Sequence, residues 1–358
     1  MNERYARAAD LLRESVRERV FPGAVAEVGS SHGIEWRTCI GHLTFDAEAA
    51  ATTPATVYDL ASLTKPLATT SVVLQLVSQQ RLRLDDSPSR YCLEWVGHDR
   101  ASVTIQHLLE HASGLSARLQ TPPPNTSSAF EHAICTMPLE RPPGTAAIYS
   151  DLGFILLGLC VERAGGHTLS ALTTSLFADV LPTADGDGCR LYATVPPDAL
   201  DRTAPTMPLP EDTARQHRLL GQVHDNYAAA LGGFAGHAGL FGTASGVGAI
   251  ARVILKVLQG QSQPAPFTPL LVAQMTRPSR VPGSSRALGW DTMRPTSSCG
   301  RYLSERAFGH VGFTGTSVWI DPATDRYYVL LSNRVCEGGS SDDMQRVRRS
   351  FHEVLTAP

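Results

Sequence analysis

The sequence predicts an α+β fold: an antiparallel sheet flanked by helices, formed by both chain ends, with an inserted all-helical region. Three observations carry that prediction. Strand-like patterns occur early, in AVAEVGS and EWRTCIGHL, and return late, in HVGFTGTSVWID and RYYVLLSN. From about residue 82 to residue 224, short helical patterns alternate with proline-rich connections instead. No internal repeat divides the chain, so the two sets of strands must meet across the insertion. The expected organisation is a sheet domain from residues 1–81 and 225–358, a helical insertion at 82–224, and an active site where they meet.

The elements follow in chain order. Tyr5, Ala8, Leu12, Val16 and Val20 recur every three or four residues, which predicts an amphipathic helix over 3–20. After Pro22-Gly23 the two early strands meet at Ser31-His32-Gly33. TKPLATTSVVLQLVSQQ reads as a mostly buried helix. Pro66 lacks an N–H and fits only in the first turn, which puts Ser62 at the helix N-terminus. In the insertion, TIQHLLEHAS, SDLGFILLGLCVERAG and LSALTTSLFADV are helical, joined by pieces such as TPPPNTSS and LERPPGTA that are too short to be disordered linkers. The late strands pair with each other, and DDMQRVRRSFHEVL closes the chain as a helix.

Composition narrows the function. With 358 residues, 42% of them hydrophobic, the chain can bury a sizeable core as one large or two interleaved domains. A net charge of −3 without a basic stripe or charged tail argues against a nucleic-acid partner. The seven cysteines are odd in number, scattered, and contain no C-x-x-C, so free thiols in a reducing compartment are expected rather than a disulfide framework. The segment MNERYARAADLLRESVRERV lacks the apolar run of a signal peptide, and no stretch approaches the roughly 18 apolar residues of a membrane span. A cytoplasmic protein acting on a small molecule is the expectation; the sequence leaves its oligomeric state open.

Ser62-Leu63-Thr64-Lys65 places a hydroxyl and an ammonium three residues apart at a helix start, on one face. A serine hydroxyl needs a neighbour to take its proton, and a lysine does so if burial lowers its pKa from roughly 10.4. The helix N-terminus also aims N–H groups at an incoming oxyanion. On its own, S-x-x-K is usually an incidental surface pair.

Four spaced blocks, the first of them containing Ser62 and Lys65, change that weight. DLASLTKPLATT, TIQHLLEHASGL, RPPGTAAIYSDLGFILLG and FGHVGFTGTSVWIDP occur in this order, and VHDNYAAALGGFAGHAGLFGTASGVGAIA leads back toward the sheet. In these blocks the chain resembles the serine β-lactamase and penicillin-binding-protein superfamily, in its class C-like esterase and D-peptidase branch. The resemblance implies a β-lactamase/transpeptidase-like fold and an acyl-enzyme on Ser62, with Lys65 as its partner. It implies that Tyr149, opening Tyr149-Ser150-Asp151, serves as base and then acid. His310-Val311-Gly312 falls at the family's third motif, so the N–H groups of Ser62 and Phe313 would form the oxyanion hole. A register through Thr314-Gly315 is the alternative. Neither metal nor organic cofactor is implied.

Departures from the family pattern guide the choice of substrate. Asp151 stands where many β-lactamases carry Asn; its charge would hold Lys65 protonated and shift the base role to Tyr149. His310 replaces a permanent cation, and Val311 a hydroxyl, which weakens recognition of a ligand carboxylate. An ester hydrolase is therefore expected ahead of a β-lactamase or a D-amino-acid peptidase.

Competing readings come from other classes. His107-Leu108-Leu109-Glu110-His111 matches H-x-x-E-H, which on a helix would aim two histidines at a zinc ion, with Glu140 or Glu162 as third-ligand candidates. His224-Asp225 and His237 invite a Ser-His-Asp triad, but no G-x-S-x-G elbow precedes a serine; either histidine fits a cleft wall. The glycine-rich GGFAGHAGLFG lacks the ending of a phosphate loop. Arg81, Arg83, Asp85 and Asp86 read as a solvated helix end. A non-catalytic binding protein of the same fold is the remaining alternative.

Overall fold

The computed structural model describes residues 3–119, 123–181, 188–212, 214–261, 263 and 265–358; Thr121 and Pro122 of the TPPPNTSS connection lie outside the described residues. Strand β1 (Gly23–Ser30) pairs with β2 (Gly33–Gly41) as the expected hairpin, with a bulge at Val28/Gly29. Two two-residue strands follow, β3 (Tyr58–Asp59) and β4 (Leu191–Tyr192), then β5 (Phe241–Gly242) and β6 (Asp291–Thr292). The late strands are β7 (Phe308–Val311), β8 (Ser317–Asp321) and β9 (Arg326–Ser332). They form a six-stranded antiparallel sheet in the order β2-β1-β9-β8-β7-β6. The chain ends meet where β1 pairs with β9, from Ala24 opposite Ser332 to Gly29 opposite Tyr327. A second, three-stranded sheet, β3-β5-β4, leads through β3 into the segment that carries Ser62. Its strand β4 falls inside the stretch expected to be purely helical, a departure that a two-residue strand gives no sequence pattern to reveal.

Strand alternation sends successive side chains to opposite faces. Val25, Val329, Leu331, Val318 and Ile320 pack into the larger core, while Ala24, Ala26, Val28, Leu330 and Trp319 pack into a second core. Helices cover both faces, so the central strands are nearly all apolar. Helix α1 (Glu3–Arg17) lies over the second core; it stops short of the expected residue 20 because Arg19 adopts a left-handed φ of 59°. Glu27 is a fully buried carboxylate in this apolar setting, satisfied by Arg37 Nε (2.9 Å), Ser245 Oγ (3.0 Å) and Tyr327 OH (2.8 Å).

The remaining helices are α2 (Ser71–Ser78), α3 (Ile105–Leu109), α4 (Ser127–Thr136), α5 (Asp151–Gly165), α6 (Leu169–Val180), α7 (Asn226–Ala230), α8 (Ala244–Leu258), α9 (Pro269–Thr276) and α10 (Ser341–Thr356). Apolar on nearly every side, α5 is sunk in the larger core; Ser150 caps it by accepting from Gly153 N–H (3.0 Å), and Gly166 ends it at φ 69°. That cap fixes Asp151 in its first turn. Helix α3 is shorter than the pattern TIQHLLEHAS predicts. It ends at Leu109, and His111 turns left-handed at φ 57°. Among the described residues, no helix is long and apolar enough to cross a membrane.

Candidate active site

The segment carrying Ser62 leaves β3 and tightens into a 3-10 turn, Ala61–Leu63, with Ala61 at φ 48°. A left-handed alanine is strained and must be held by its surroundings. Asp59 supplies that hold. One carboxylate oxygen accepts from Ala61 N–H (2.8 Å) and the other from His224 N–H (2.7 Å). Burial pushes Asp59 up to about 6, with the two N–H donors pulling the other way. Thr64 Oγ1 donates to Ala61 O (2.6 Å) and accepts from Leu240 N–H (3.0 Å). The chain then runs through a widened π-type turn, Lys65–Thr70, into α2; Pro66 sits in the first turn, where it displaces no hydrogen bond.

Lys65 is completely buried, and its ammonium donates to Ser62 Oγ (3.0 Å), Asp151 Oδ1 (2.8 Å) and the His237 carbonyl (3.1 Å). All three of its protons are used. Burial alone would lower its pKa; the charge of Asp151, then Tyr149, outweigh burial and raise it. Asp151 responds in kind: burial would raise it, but Lys65 and then His237 bring it below its ordinary value. An ammonium in this state has no lone pair to receive a proton from Ser62.

Tyr149 stands beside this pair. Lys65 Nζ lies 4.8 Å from its ring centroid and the Arg286 guanidinium carbon 5.0 Å from it. The aromatic neighbours are His111 at 4.5 Å and His310 at 6.0 Å. His111 fixes the backbone here: its carbonyl accepts from Ile148 N–H (2.8 Å) and its Nδ1 from Ser150 N–H (3.0 Å). Burial, then Arg286 and Lys65, depress the His111 pKa far below the usual value, so the ring is neutral.

Strand β7, between β8 and the two-residue edge strand β6, forms the opposite wall. A Cβ on Gly312 would approach the Leu60 carbonyl to 2.6 Å, so only glycine fits at this crossing. Thr314 Oγ1 donates to Asp59 O (2.7 Å) and Thr316 Oγ1 to Leu60 O (3.0 Å), clamping the β7–β8 turn to the segment that carries Ser62. Thr314 is thereby occupied, and His310, Val311 and Gly312 line the cleft. Among the described residues, no acceptor meets the backbone N–H of Ser62 or Phe313. His310 is buried; its Nδ1 lies 2.9 Å from Val311 O, its Nε2 has no partner, and burial followed by Arg286 keeps it neutral.

These walls enclose a cleft of about 660 Å³. Its lining includes four arginines that sequence reading did not single out: Arg118, Arg286, Arg334 and Arg348. Arg118 bridges Asp151 (3.2 Å) and Asp225 (3.3 Å), and Asp225 lies 2.7 Å from His237 Nε2, so a chain of alternating charge runs outward from Lys65. Arg286 is 22% exposed and sits 3.9 Å from Asp291. Its guanidinium places a permanent cation on the side where His310 supplies none. Isolated arginines in loops carry no pattern, so only the folded chain reveals them.

His224 and His237 do line the cleft, but no hydrogen bond joins either ring to Ser62. The zinc reading fares worse. Thr104 N–H donates to His107 Nδ1 (3.2 Å) in a capping box, His111 is taken up by Ser150, and Glu162 accepts from Leu169 N–H. The helix ends between the two histidines, which removes the shared face. Among the described residues, no three His, Cys, Asp or Glu side chains are grouped to hold a metal.

The Beta-lactamase family profile matches residues 8–352. A putative D-alanyl-D-alanine carboxypeptidase of Escherichia coli (strain K12) is 31% identical over 315 residues, covering 79% of this chain and 70% of that protein. Among solved structures, EstCE1, described as a hydrolase with promiscuous acyltransferase activity, superposes with a TM-score of 0.75 at 19% identity over 98% of both chains. A class C beta lactamase from Rhodobacter sphaeroides gives 0.74 at 17% identity, again over 98% of both chains. At such identities these two establish the β-lactamase/transpeptidase-like fold alone.

Proposed function

We propose that this chain, which belongs to the beta-lactamase family, is a serine hydrolase that forms an acyl-enzyme on Ser62 and acts on carboxylic esters. The observation that carries the reading is Lys65: fully buried, 3.0 Å from Ser62 Oγ and 2.8 Å from Asp151. A protonated Lys65 orients the hydroxyl without accepting its proton, so Tyr149 takes that role. Lys65 Nζ and the Arg286 guanidinium carbon, 4.8 Å and 5.0 Å from the centroid of its ring, surround this proton acceptor with positive charge. Ser62 Oγ attacks the carbonyl carbon, and the proton passes to Tyr149. The oxyanion rests on the free N–H groups of Ser62 and Phe313, and Tyr149 returns the proton to the leaving group. Water, activated the same way, releases the acyl group. His310 and Val311, neutral and without a hydroxyl, favour an uncharged leaving group.

Arg286 favours a second reading. A permanent cation beside Tyr149 suits an acyl donor with a carboxylate on the leaving-group side of the scissile amide, as in a D-amino-acid peptide or an intact β-lactam. The name of the Escherichia coli relative supports the same class. A panel of p-nitrophenyl esters, a chromogenic β-lactam and a D-alanyl-D-alanine peptide separates the two. Highest kcat/KM on neutral esters supports the first reading. A peptide or β-lactam preferred by tenfold or more replaces it with the second.

A further inference from the structure

Arg348 projects from α10 into the wall of the cleft, where its Nη2 donates to Gly312 O (2.6 Å) and Thr316 O (2.9 Å). Its side chain is buried, its Nε has no partner, and no carboxylate among the described residues pairs with it. Burial and then the nearby Arg334 lower its pKa to about 9. A buried, unpaired guanidinium is a standing cost to the fold, and an apolar side chain of similar size would spare it. Its position gives a reason to keep it. The carbonyl of Gly312 and the N–H of Phe313 belong to one peptide group. A charge-assisted bond to the oxygen pulls electron density from the nitrogen and makes its N–H a stronger donor.

We infer that Arg348 is a positioning residue for acyl transfer: it polarises and fixes the Gly312–Phe313 peptide, and serves as distant counter-charge to the oxyanion. The inference rests on the reading of Ser62 and Phe313 as an oxyanion hole. Two neighbouring contacts define the geometry. Gly315 N–H also donates to Gly312 O (3.1 Å), and Gly312 N–H to Thr316 O (2.7 Å), so the turn keeps its own ladder without Arg348. What Arg348 adds is charge and direction. The benefit appears only when negative charge develops on the substrate oxygen, which is where electrostatic preorganisation speeds a reaction.

The test follows phosphonylation of Ser62 by a fluorophosphonate, in which Oγ bonds to phosphorus, fluoride leaves and the P=O oxygen occupies the same hole. Wild type, Arg348→Met and Arg348→Lys are compared by intact-mass kinetics over a range of probe concentrations, with thermal unfolding in parallel. We expect Arg348→Met to unfold no earlier than wild type, its maximal labelling rate to fall about tenfold, and its half-saturating concentration to stay within about twofold. Arg348→Lys should recover most of the rate. A folded Arg348→Met that labels at the wild-type rate overturns the inference. So does a rate loss that tracks a loss of stability and is not rescued by lysine. Absence of any Ser62 adduct in folded wild type overturns the proposed function itself, and this inference with it.

Discussion

Replacing Asp151 with asparagine keeps the shape of the side chain and removes the charge that holds Lys65. The two groups are 2.8 Å apart, with Lys65 unexposed and Asp151 14% exposed. At an effective dielectric constant near 20, their attraction is about 6 kcal/mol, from which desolvation of both ions must be subtracted. Breaking a buried pair from one side typically costs about 3–5 kcal/mol. Unfolding entropy of about 2.1 cal/mol/K per residue over 358 residues amounts to ~0.75 kcal/mol/K, so the midpoint should drop by about 4–7 °C at pH 7. The pH dependence has a definite sign. Asp151 lies below its ordinary 3.8 in the fold, so its stabilisation is complete above that value and fades as acid protonates it. Lys65 is raised above its ordinary 10.5, so its share is complete at every pH below that. Urea unfolding of wild type and Asp151→Asn at pH 7, 5 and 3.5 should therefore show a full gap at the first two and a smaller one at the third. A gap under about 1 kcal/mol at pH 7, or one that widens in acid, refutes the description of this pair.

The other expectations concern catalysis. Tyr149→Phe removes the proposed base and should lower kcat/KM by roughly 10²–10⁴-fold while unfolding stability changes by less than about 1 kcal/mol, because the ring contacts persist. Arg286→Gln should raise KM for a carboxylate-bearing substrate by at least about tenfold. Neutral esters should lose only a few-fold in kcat from the missing cation beside Tyr149, with KM unchanged. Equal losses on both substrate types would remove Arg286 from carboxylate recognition.

Periodic features were legible from sequence, and contacts between distant loops were not. The apolar runs AVAEVGS and RYYVLLSN identified strands from opposite chain ends that pair as β1 and β9, because burial on both faces leaves a plain apolar pattern. Pro66 located the start of the helix after Ser62 for a local steric reason. The pairing of Asp151 with Lys65 needs no tertiary detail to anticipate, since a carboxylate and an ammonium in contact each favour the other's charged form. By contrast, α3 was expected to continue through His111, where a left-handed residue stops it to let His111 receive Ser150 N–H. Tertiary hydrogen bonding overrode propensity there. Asp59 opens the DLASLTKPLATT block, but its partner His224 is distant in sequence, and Arg286 and Arg348 belong to no motif; their contacts with Tyr149 and Gly312 exist only once the chain folds.

The central claim is that Ser62 carries the acyl group. Its most direct test is intact-protein mass spectrometry after fluorophosphonate treatment of wild type and Ser62→Ala, each with and without a chelator. Wild type should gain one adduct, unaffected by chelation, and Ser62→Ala none. An adduct that persists in Ser62→Ala, or its absence from folded wild type, would contradict it.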